Sequence, residues 1–521
     1  NNGSGQAATP VSPSTTGSAK ALPSEAVAKG GVGSESSVTR FVHLHCHSQF
    51  SLGIPGCSTV YDLVDHAVAQ GSGAIALTDH STLYGAFLFF QYAHAKGIKP
   101  ILGLDLQVCK DHRDHSRKDN GTPQLLLARN QRGYQNLVKL GSLSYTEGYY
   151  YVPRVSRDLV FAHREGLVAT SGSLDAEIPW TLLNHGVAQA EEALRAWKEA
   201  FGEHFYLEVQ DHGLEEEKFV RAQYEKWSAQ YNIPIIVTNN TYYNRFEDAD
   251  LHDTYLCVVP LEYKDTPIGQ GRGYRFGMQG EGYHLWEPAE AARRMGHHPE
   301  WLANTLALAD SMESYTLQRD VLLPRFDIPP GFANENEYLR HLTLEGAKKR
   351  YGSLSPELLE RIDFELQTIA HTGYPGYFLI VQDFTRAARD MGVSVGPGRG
   401  SAAGSLILYS CGVTQIDPIR YGLFFERFIS RSRAKKQVIN GITYLDGSLA
   451  PDIDLDICYY QRHKVLEYLE KKFENKTAKI LTLNTLSSKL LIKECGKVID
   501  EKPESEMTVV SGLIPKTFGQ V

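Results

Sequence analysis

Short apolar runs alternate with longer amphipathic segments from Phe41 onward. Ala74–Leu77, Pro100–Gly103, Leu125–Ala128, Leu167–Thr170, Phe205–Val209 and Ile233–Val237 have strand length, whereas Val60–Gln70 and Ala188–Phe201 repeat their apolar residues at helical spacing. This alternation predicts parallel strands joined by crossover helices, a barrel being the closed form of the pattern. From Glu287 the period changes. Glu287–Arg294, Trp301–Met312, Glu335–Arg350 and Pro356–His371 read as helices, and Pro324, Pro329 and Pro330 punctuate the middle of the stretch. A further unit starts near Tyr374, with a glycine-rich turn at 396–404 and an alternating strand at Pro451–Cys458.

Residues 1–39 contain no aromatic residue and consist largely of Ser, Gly, Ala, Thr and Pro, so a disordered tail is expected there. A transit peptide fits less well, because no Arg precedes Arg40 and no apolar signal core is present. The 521 residues are 42% hydrophobic and 22% charged, which is ordinary globular composition for several domains. No apolar run is long enough to span a membrane. The seven cysteines form no CxxC pair, which argues against a disulfide scaffold or zinc ribbon and fits a reducing compartment. A net charge of -8 gives no sign of nucleic acid, so any DNA contact must rest on local basic patches.

Two stretches carry chemistry. His43-Leu-His45-Cys-His47 puts three histidines on one side of an extended chain, a spacing that suits a divalent metal. Asp79-His80 and Asp105 stand at the ends of later apolar runs, where a β/α barrel gathers functional groups. Hydrogen-bonded surface or cap histidines are the competing reading.

The second stretch begins with Gly396-Pro-Gly-Arg-Gly-Ser-Ala-Ala-Gly404-Ser405, which lacks the ending of a Walker loop. Its glycines still let backbone N–H groups approach an anion. Arg399 can clamp phosphate, Ser401 and Ser405 can donate hydroxyl hydrogen bonds, and Leu406–Cys411 is expected to be a helix whose N-terminus favours negative charge. A tight loop that needs glycine is the plain alternative. Downstream, alternation in Pro451-Asp452-Ile-Asp454-Leu-Asp456-Ile-Cys458 puts Ile453, Leu455 and Ile457 on one face and the aspartates on the other. Divalent cations relieve the repulsion of such a row, and two carboxylates can hold two Mg²⁺ ions about 3.5–4 Å apart. Beside a phosphate loop this reads as a nucleotidyltransferase site rather than a solvated edge strand. Arg427, Arg431, Arg433, Lys435 and Lys436 make a basic cluster that suits either nucleic-acid backbone or solvent.

FVHLHCHSQFSL, ALTDHSTLYGA and GIKPILGLD, with LLLARNQRGYQNLVKLGSLSYTEGYYY and YLEVQDHGL, resemble the polymerase-and-histidinol-phosphatase (PHP) domain that opens the α subunits of bacterial DNA polymerase III, the family C polymerases. GYPGYFLIVQDF, VGPGRGSAAGSLILYSCGVTQIDPIRYGLFFERFI and PDIDLD resemble the palm of that family, which is related to the DNA polymerase β-like nucleotidyltransferases. The likeness runs from Phe41 to the last residue. It implies an α/β multidomain chain: a tail over 1–39, a PHP-type distorted β/α barrel over 40–285, a mostly helical palm and thumb-entry region over 286–372, and a partial palm with thumb elements over 373–521.

The resemblance also implies template-directed DNA synthesis with two Mg²⁺ ions, Asp454 and Asp456 being catalytic metal ligands and Arg399, Gly400, Ser401 and Ser405 binding the triphosphate. Lys489 and Lys493, in LNTLSSKLLIKECGKV, become candidates for phosphate or primer contact, or plain exposed lysines. The implied partners are primer–template DNA, deoxynucleoside triphosphates, a sliding clamp, a proofreading exonuclease subunit and other replisome proteins, in the cytoplasm and away from membranes.

In the barrel, His45, His47, Asp79, His80 and His212 match the family's metal positions, and Asp105 replaces a glutamate. Several positions depart from the pattern. Gly53-Ile-Pro-Gly56 stands where an acidic residue is usual, and Gln124, Ser173, Asn240 and Tyr242 replace a histidine, a cysteine, an aspartate and a histidine. A scaffold with at most residual metal binding is therefore expected, and a metal-dependent phosphoesterase or exonuclease is the alternative. The family's third catalytic aspartate does not occur before Val521, so this chain is expected to be an incomplete N-terminal portion that does not extend a primer alone.

Overall fold

The computed structural model describes residues 40–258, 260–269, 271–317, 325–429, 436–439, 442–445, 451–474, 476–483 and 486–514. The expected tail and Arg431, Arg433 and Lys435 of the basic cluster lie outside these residues, and Lys436 is described by its backbone alone. Each apolar run of the first half becomes a strand: β1 (Ala74–Leu77), β2 (Lys99–Cys109), β3 (Thr122–Ala128), β5 (Leu167–Thr170), β6 (Phe205–Val209) and β7 (Ile235–Val237), with β4 (Arg154–Ser156) added. The sheet order is β1-β2-β3-β5-β6-β7, and β4 pairs with the end of β2.

The pairs β1–β2, β5–β6 and β6–β7 are parallel, as the alternation predicts. β3 departs from that expectation, since it runs antiparallel to both β2 and β5. Residues 110–121 contain no crossover helix, so the chain turns straight back. Arg154, fully buried, holds this turn by donating to the carbonyls of Asp114 (2.8 Å), Asp119 (2.6 Å) and Gly148 (3.1 Å). These oxygens give a buried cation the partners it needs.

Residues 43–47 lie between β1 and the segment that follows β7. Ala76 N–H and Thr78 N–H donate to the carbonyls of His43 and Cys46 on one side. On the other, His47 N–H donates to Thr241 O (2.8 Å) and Thr241 N–H to His45 O (2.9 Å). The sheet thus curls into a half-barrel, a more open form of the distorted barrel expected from the sequence.

Helices α1 (Val60–Ala69), α2 (Ala86–Ala95), α3 (Gln131–Thr146), α4 (Arg157–Ala162), α5 (Glu177–His185), α6 (Val187–Phe201), α7 (Glu215–Tyr231) and α8 (Ala249–Val258) intervene between or follow the strands. The apolar faces of α3 to α7, including Leu140, Trp197, Tyr224 and Trp227, pack with Leu104, Leu126 and Leu207 in one core. Trp286, Met295 and Trp301 join the same core, so α9 (Pro288–Met295) and α10 (Pro299–Ser311) belong to this unit. Burying each such side chain contributes about 1.5–3 kcal/mol.

The second compact unit spans Thr316–Ser487. It holds α11 (Glu335–Tyr351), α12 (Pro356–Thr372), α13 (Pro375–Asp390), the short α14 (Leu406–Ser410), α15 (Arg462–Lys472) and a hairpin of β8 (Lys436–Ile439) and β9 (Ile442–Leu445). Ser355 caps α12, Gly373 ends it in a left-handed conformation, and Pro375 opens α13. Leu339, Ile362, Ile369, Phe378, Ile407 and Phe425 form the core. The final helices, α16 (Ser488–Asp500) and α17 (Glu504–Gly512), group with the first unit rather than the second, because Val498 packs on Cys257 and Val258 of α8. Among the described residues no helix is long and apolar enough to cross a membrane.

Gly346 on α11 faces the carbonyl of Ser410 on α14 so closely that a Cβ would collide with it. Gly346→Ala is expected to cost about 1–3 kcal/mol of stability, seen as a lower urea or thermal midpoint. An unchanged midpoint would show that the two helices can part freely.

Candidate active site

The barrel gathers a buried polar cluster where residues 43–47 meet β2 and β6. His45 lies between Glu208, at 2.7 Å from Nδ1, and Asp105, at 3.6 Å from Nε2. Burial alone would lower the pKa of His45, but these two carboxylates outweigh it and raise the value to about 10. Asp105 also contacts His80 Nδ1 at 3.0 Å. Burial opposes ionisation of Asp105, yet His80 and His45 hold its carboxyl well below the usual range. His47 is pushed down by burial and by the neighbouring His80 and His45. As a neutral ring it donates from Nε2 to Asn240 Oδ1 (2.9 Å) and is stacked against both His80 and Tyr242.

His45, His47 and Asp105 could hold one ion, with their ligand atoms within 4.8 Å of one another. The remaining expected ligands also make hydrogen bonds within the protein. Both carboxylate oxygens of Asp79 accept from Ser48, one from N–H at 2.6 Å and one from the hydroxyl at 2.8 Å. His80 Nε2 pairs with the Tyr242 hydroxyl at 2.8 Å, and His212 is bonded at both nitrogens, to Glu217 and to Asn239 O. His43, expected on the same side as His45 and His47, bonds instead to Trp286 O. Gln124 donates to the Thr170 carbonyl, and Ser173 accepts from Asn240. Sequence reasoning did not single out Glu208, the strongest partner of His45. Its signal was a lone acidic residue within the apolar strand β6.

In the second unit the glycine-rich turn and the aspartate segment come together. Gly396 N–H donates to Asp456 O (2.8 Å), Cys458 N–H donates to Ser394 O (3.0 Å), and Val395 and Ile457 form an antiparallel bridge. Only this bridge remains of the strand expected over Pro451–Cys458, because residues 451–456 lack a continuous partner. The alternation still holds: Ile453 and Leu455 pack against the core, while Asp452 and Asp456 are exposed and Asp454 is partly so. Arg399 reaches both carboxylates, with Nη2 3.2 Å from Asp454 Oδ1 and Nε 3.4 Å from Asp456 Oδ1. Gly400 has φ +66, and a Cβ there would stand 3.1 Å from Asp454 Oδ2, so glycine meets both a backbone and a space requirement. Arg399, Gly400 and Ser401 are exposed beside this carboxylate face.

Ser405 is a correction. It is fully buried, and its hydroxyl donates to Glu365 at 2.9 Å. The N–H groups of Leu406 and Ile407 donate to the same carboxylate, at 3.0 and 3.2 Å. The expected helix is the five-residue α14, and its N-terminus is occupied by a side chain of the protein rather than open to phosphate. Burial pushes the Glu365 carboxyl up, opposed by these donors and by Arg361, which pairs with it at 2.7 Å. The signal for Glu365 was an acidic residue on the apolar face of α12, between Ile362 and Ile369 and four residues after Arg361. Arg427 lies on a short turn of the second unit, whereas Lys489 and Lys493 stand half-buried on α16 of the first.

Two family models match the chain: the PHP domain over residues 43–212 and the bacterial DNA polymerase III alpha NTPase domain over residues 337–521. DNA polymerase III subunit alpha from Treponema pallidum is 37% identical over 91% of this chain and 39% of its own length. The subunit from Borreliella burgdorferi is 35% identical over 92% of this chain and 40% of its own length. An amidohydrolase from Chromobacterium violaceum aligns with 39% of this chain and 87% of its own at 14% identity, but its TM-score of 0.28 is too low to bear on fold or function. The chain spans about two-fifths of the length of the curated relatives it matches. With a PHP barrel followed by sequence of the polymerase NTPase domain, it belongs to the family of bacterial DNA polymerase III alpha subunits.

Proposed function

We propose that Arg399, Gly400, Ser401, Asp454 and Asp456 form the part of a DNA polymerase III alpha active site that binds a deoxynucleoside triphosphate with Mg²⁺ for template-directed DNA synthesis in the cytoplasm. The observation that carries this reading is the contact of one guanidinium with both aspartates, which brings a phosphate-type cation and two metal-type carboxylates onto one exposed face. The donor set suits the ion, since hard carboxylate oxygens are what Mg²⁺ prefers. An exposed ion pair contributes little to stability, so the Arg399 contacts exchange readily for a metal ion and a phosphate.

In this reading Asp454 and Asp456 hold Mg²⁺, Arg399 turns to the triphosphate, and the Ser401 hydroxyl and the Gly400 backbone approach its oxygens. The bound metal supplies charge neutralisation at the attacking and leaving oxygens. A primer 3′-hydroxyl attacks the α-phosphate, and pyrophosphate leaves. Primer–template DNA is the co-substrate, and a sliding clamp, a proofreading exonuclease subunit and other replisome proteins are the expected partners. The barrel serves as a scaffold: Asn240 brings no charge, Asp79 is spent on Ser48, and the Tyr242 ring is stacked on His47.

Titration of the chain with Mg²⁺ and dATP is expected to show binding that weakens about tenfold or more in Arg399→Ala and in the double variant Asp454→Asn/Asp456→Asn. Equal affinity in parent and both variants would remove the site. Metal analysis of the purified chain is expected to find less than one zinc or manganese per chain and no hydrolysis of a nitrophenyl phosphate. Stoichiometric, tightly held metal would overturn the scaffold reading in favour of a phosphoesterase.

A further inference from the structure

Tyr459 and Tyr460 are the most exposed aromatic side chains among the described residues, at 83% and 85%. They occupy the short turn Tyr459–Gln461 that directly follows the aspartate segment. This turn is anchored, since Cys458 N–H donates to Ser394 O, Gln461 N–H donates to Cys458 O, and Ile457 is bridged to Val395. Two rings held open to water on a fixed turn bury no core, so their use lies outside the unit's own packing.

Their position says what they meet. Tyr459 stands three positions after Asp456, a reach of at most about 11 Å along the chain. At about 3.4 Å per nucleotide, that is roughly three steps of a strand from the reacting phosphate. Arg462 and His463, exposed, and Lys464, half-buried, follow at once, and the first turn of α15 contains no acidic residue. The ring centroids are 5.8 Å apart and the planes cross at 82°. One ring can therefore lie under a base while the other abuts its sugar or the next base.

We propose that Tyr459 and Tyr460 form a stacking platform for unpaired nucleobases of the DNA strand at the site, with Arg462 and Lys464 meeting its phosphates. Aromatic rings beside cations are the usual chemistry for holding single strands without reading sequence. This inference rests on the nucleotidyl-transfer reading, and one experiment separates the two. The affinity of the chain for a labelled twelve-nucleotide oligo(dT) is measured by anisotropy, and its affinity for Mg²⁺ with dATP is measured in parallel.

Tyr459→Ala/Tyr460→Ala is expected to weaken oligonucleotide binding by about tenfold or more while leaving Mg²⁺–dATP binding unchanged. Tyr459→Phe/Tyr460→Phe is expected to restore it, because the ring and not the hydroxyl does the stacking. The salt dependence is expected to keep its slope, since no phosphate contact is removed. Unchanged oligonucleotide affinity in the alanine variant, no oligonucleotide binding by the parent, or failure of phenylalanine to restore would overturn the platform. If oligonucleotide binding follows the tyrosines while Mg²⁺–dATP does not bind, the platform stands and the nucleotidyl-transfer reading falls.

Discussion

Two backbone hydrogen bonds, Gly396 N–H to Asp456 O and Cys458 N–H to Ser394 O, hold the glycine-rich turn against the aspartate segment. All the chemistry assigned to the second unit depends on that pairing. It sets Asp454 and Asp456 beside Arg399, brings Gly400 onto the Asp454 carboxylate, and fixes the turn that carries Tyr459 and Tyr460. Each bond contributes only about 0.5–1.5 kcal/mol, so the pairing needs support from packing. Ile453 and Leu455 provide it against the helical core, and Val395 and Ile457 against Val393 and Val465.

The two polar clusters of the chain follow opposite physical rules. In the barrel, charge is buried and partnered within the protein, as His45 is with Glu208 and Asp105. Burial makes such pairs costly to break, which suits a structural element. Around Arg399 the charges are exposed and loosely held, which suits groups that must exchange partners for a ligand. Glu365 belongs to the first kind although it lies in the second unit, because it satisfies the start of α14 from inside the core.

Much of this was legible in the sequence. The strands β5 and β6 coincide with their apolar runs, and the three-aspartate alternation put the carboxylates opposite the apolar side chains. What escaped depended on contacts distant along the chain. The antiparallel placement of β3 follows from a connection without a helix, and the grouping of α16 with α8 follows from an apolar partner far away in sequence. Ser405 looked like a phosphate donor because local sequence shows a serine at a helix start and does not show that Glu365 fills it. Asp79 looked like a metal ligand because its turn toward Ser48 is not encoded in its own neighbours.

The most direct measurement is a crystal structure of the chain with Mg²⁺ and dATP. Metal density between Asp454 and Asp456, with Arg399 turned from the carboxylates to the phosphates, is the predicted result. A triphosphate bound elsewhere, with the Arg399 pairs intact, would contradict the assignment of this face as the nucleotidyl-transfer site.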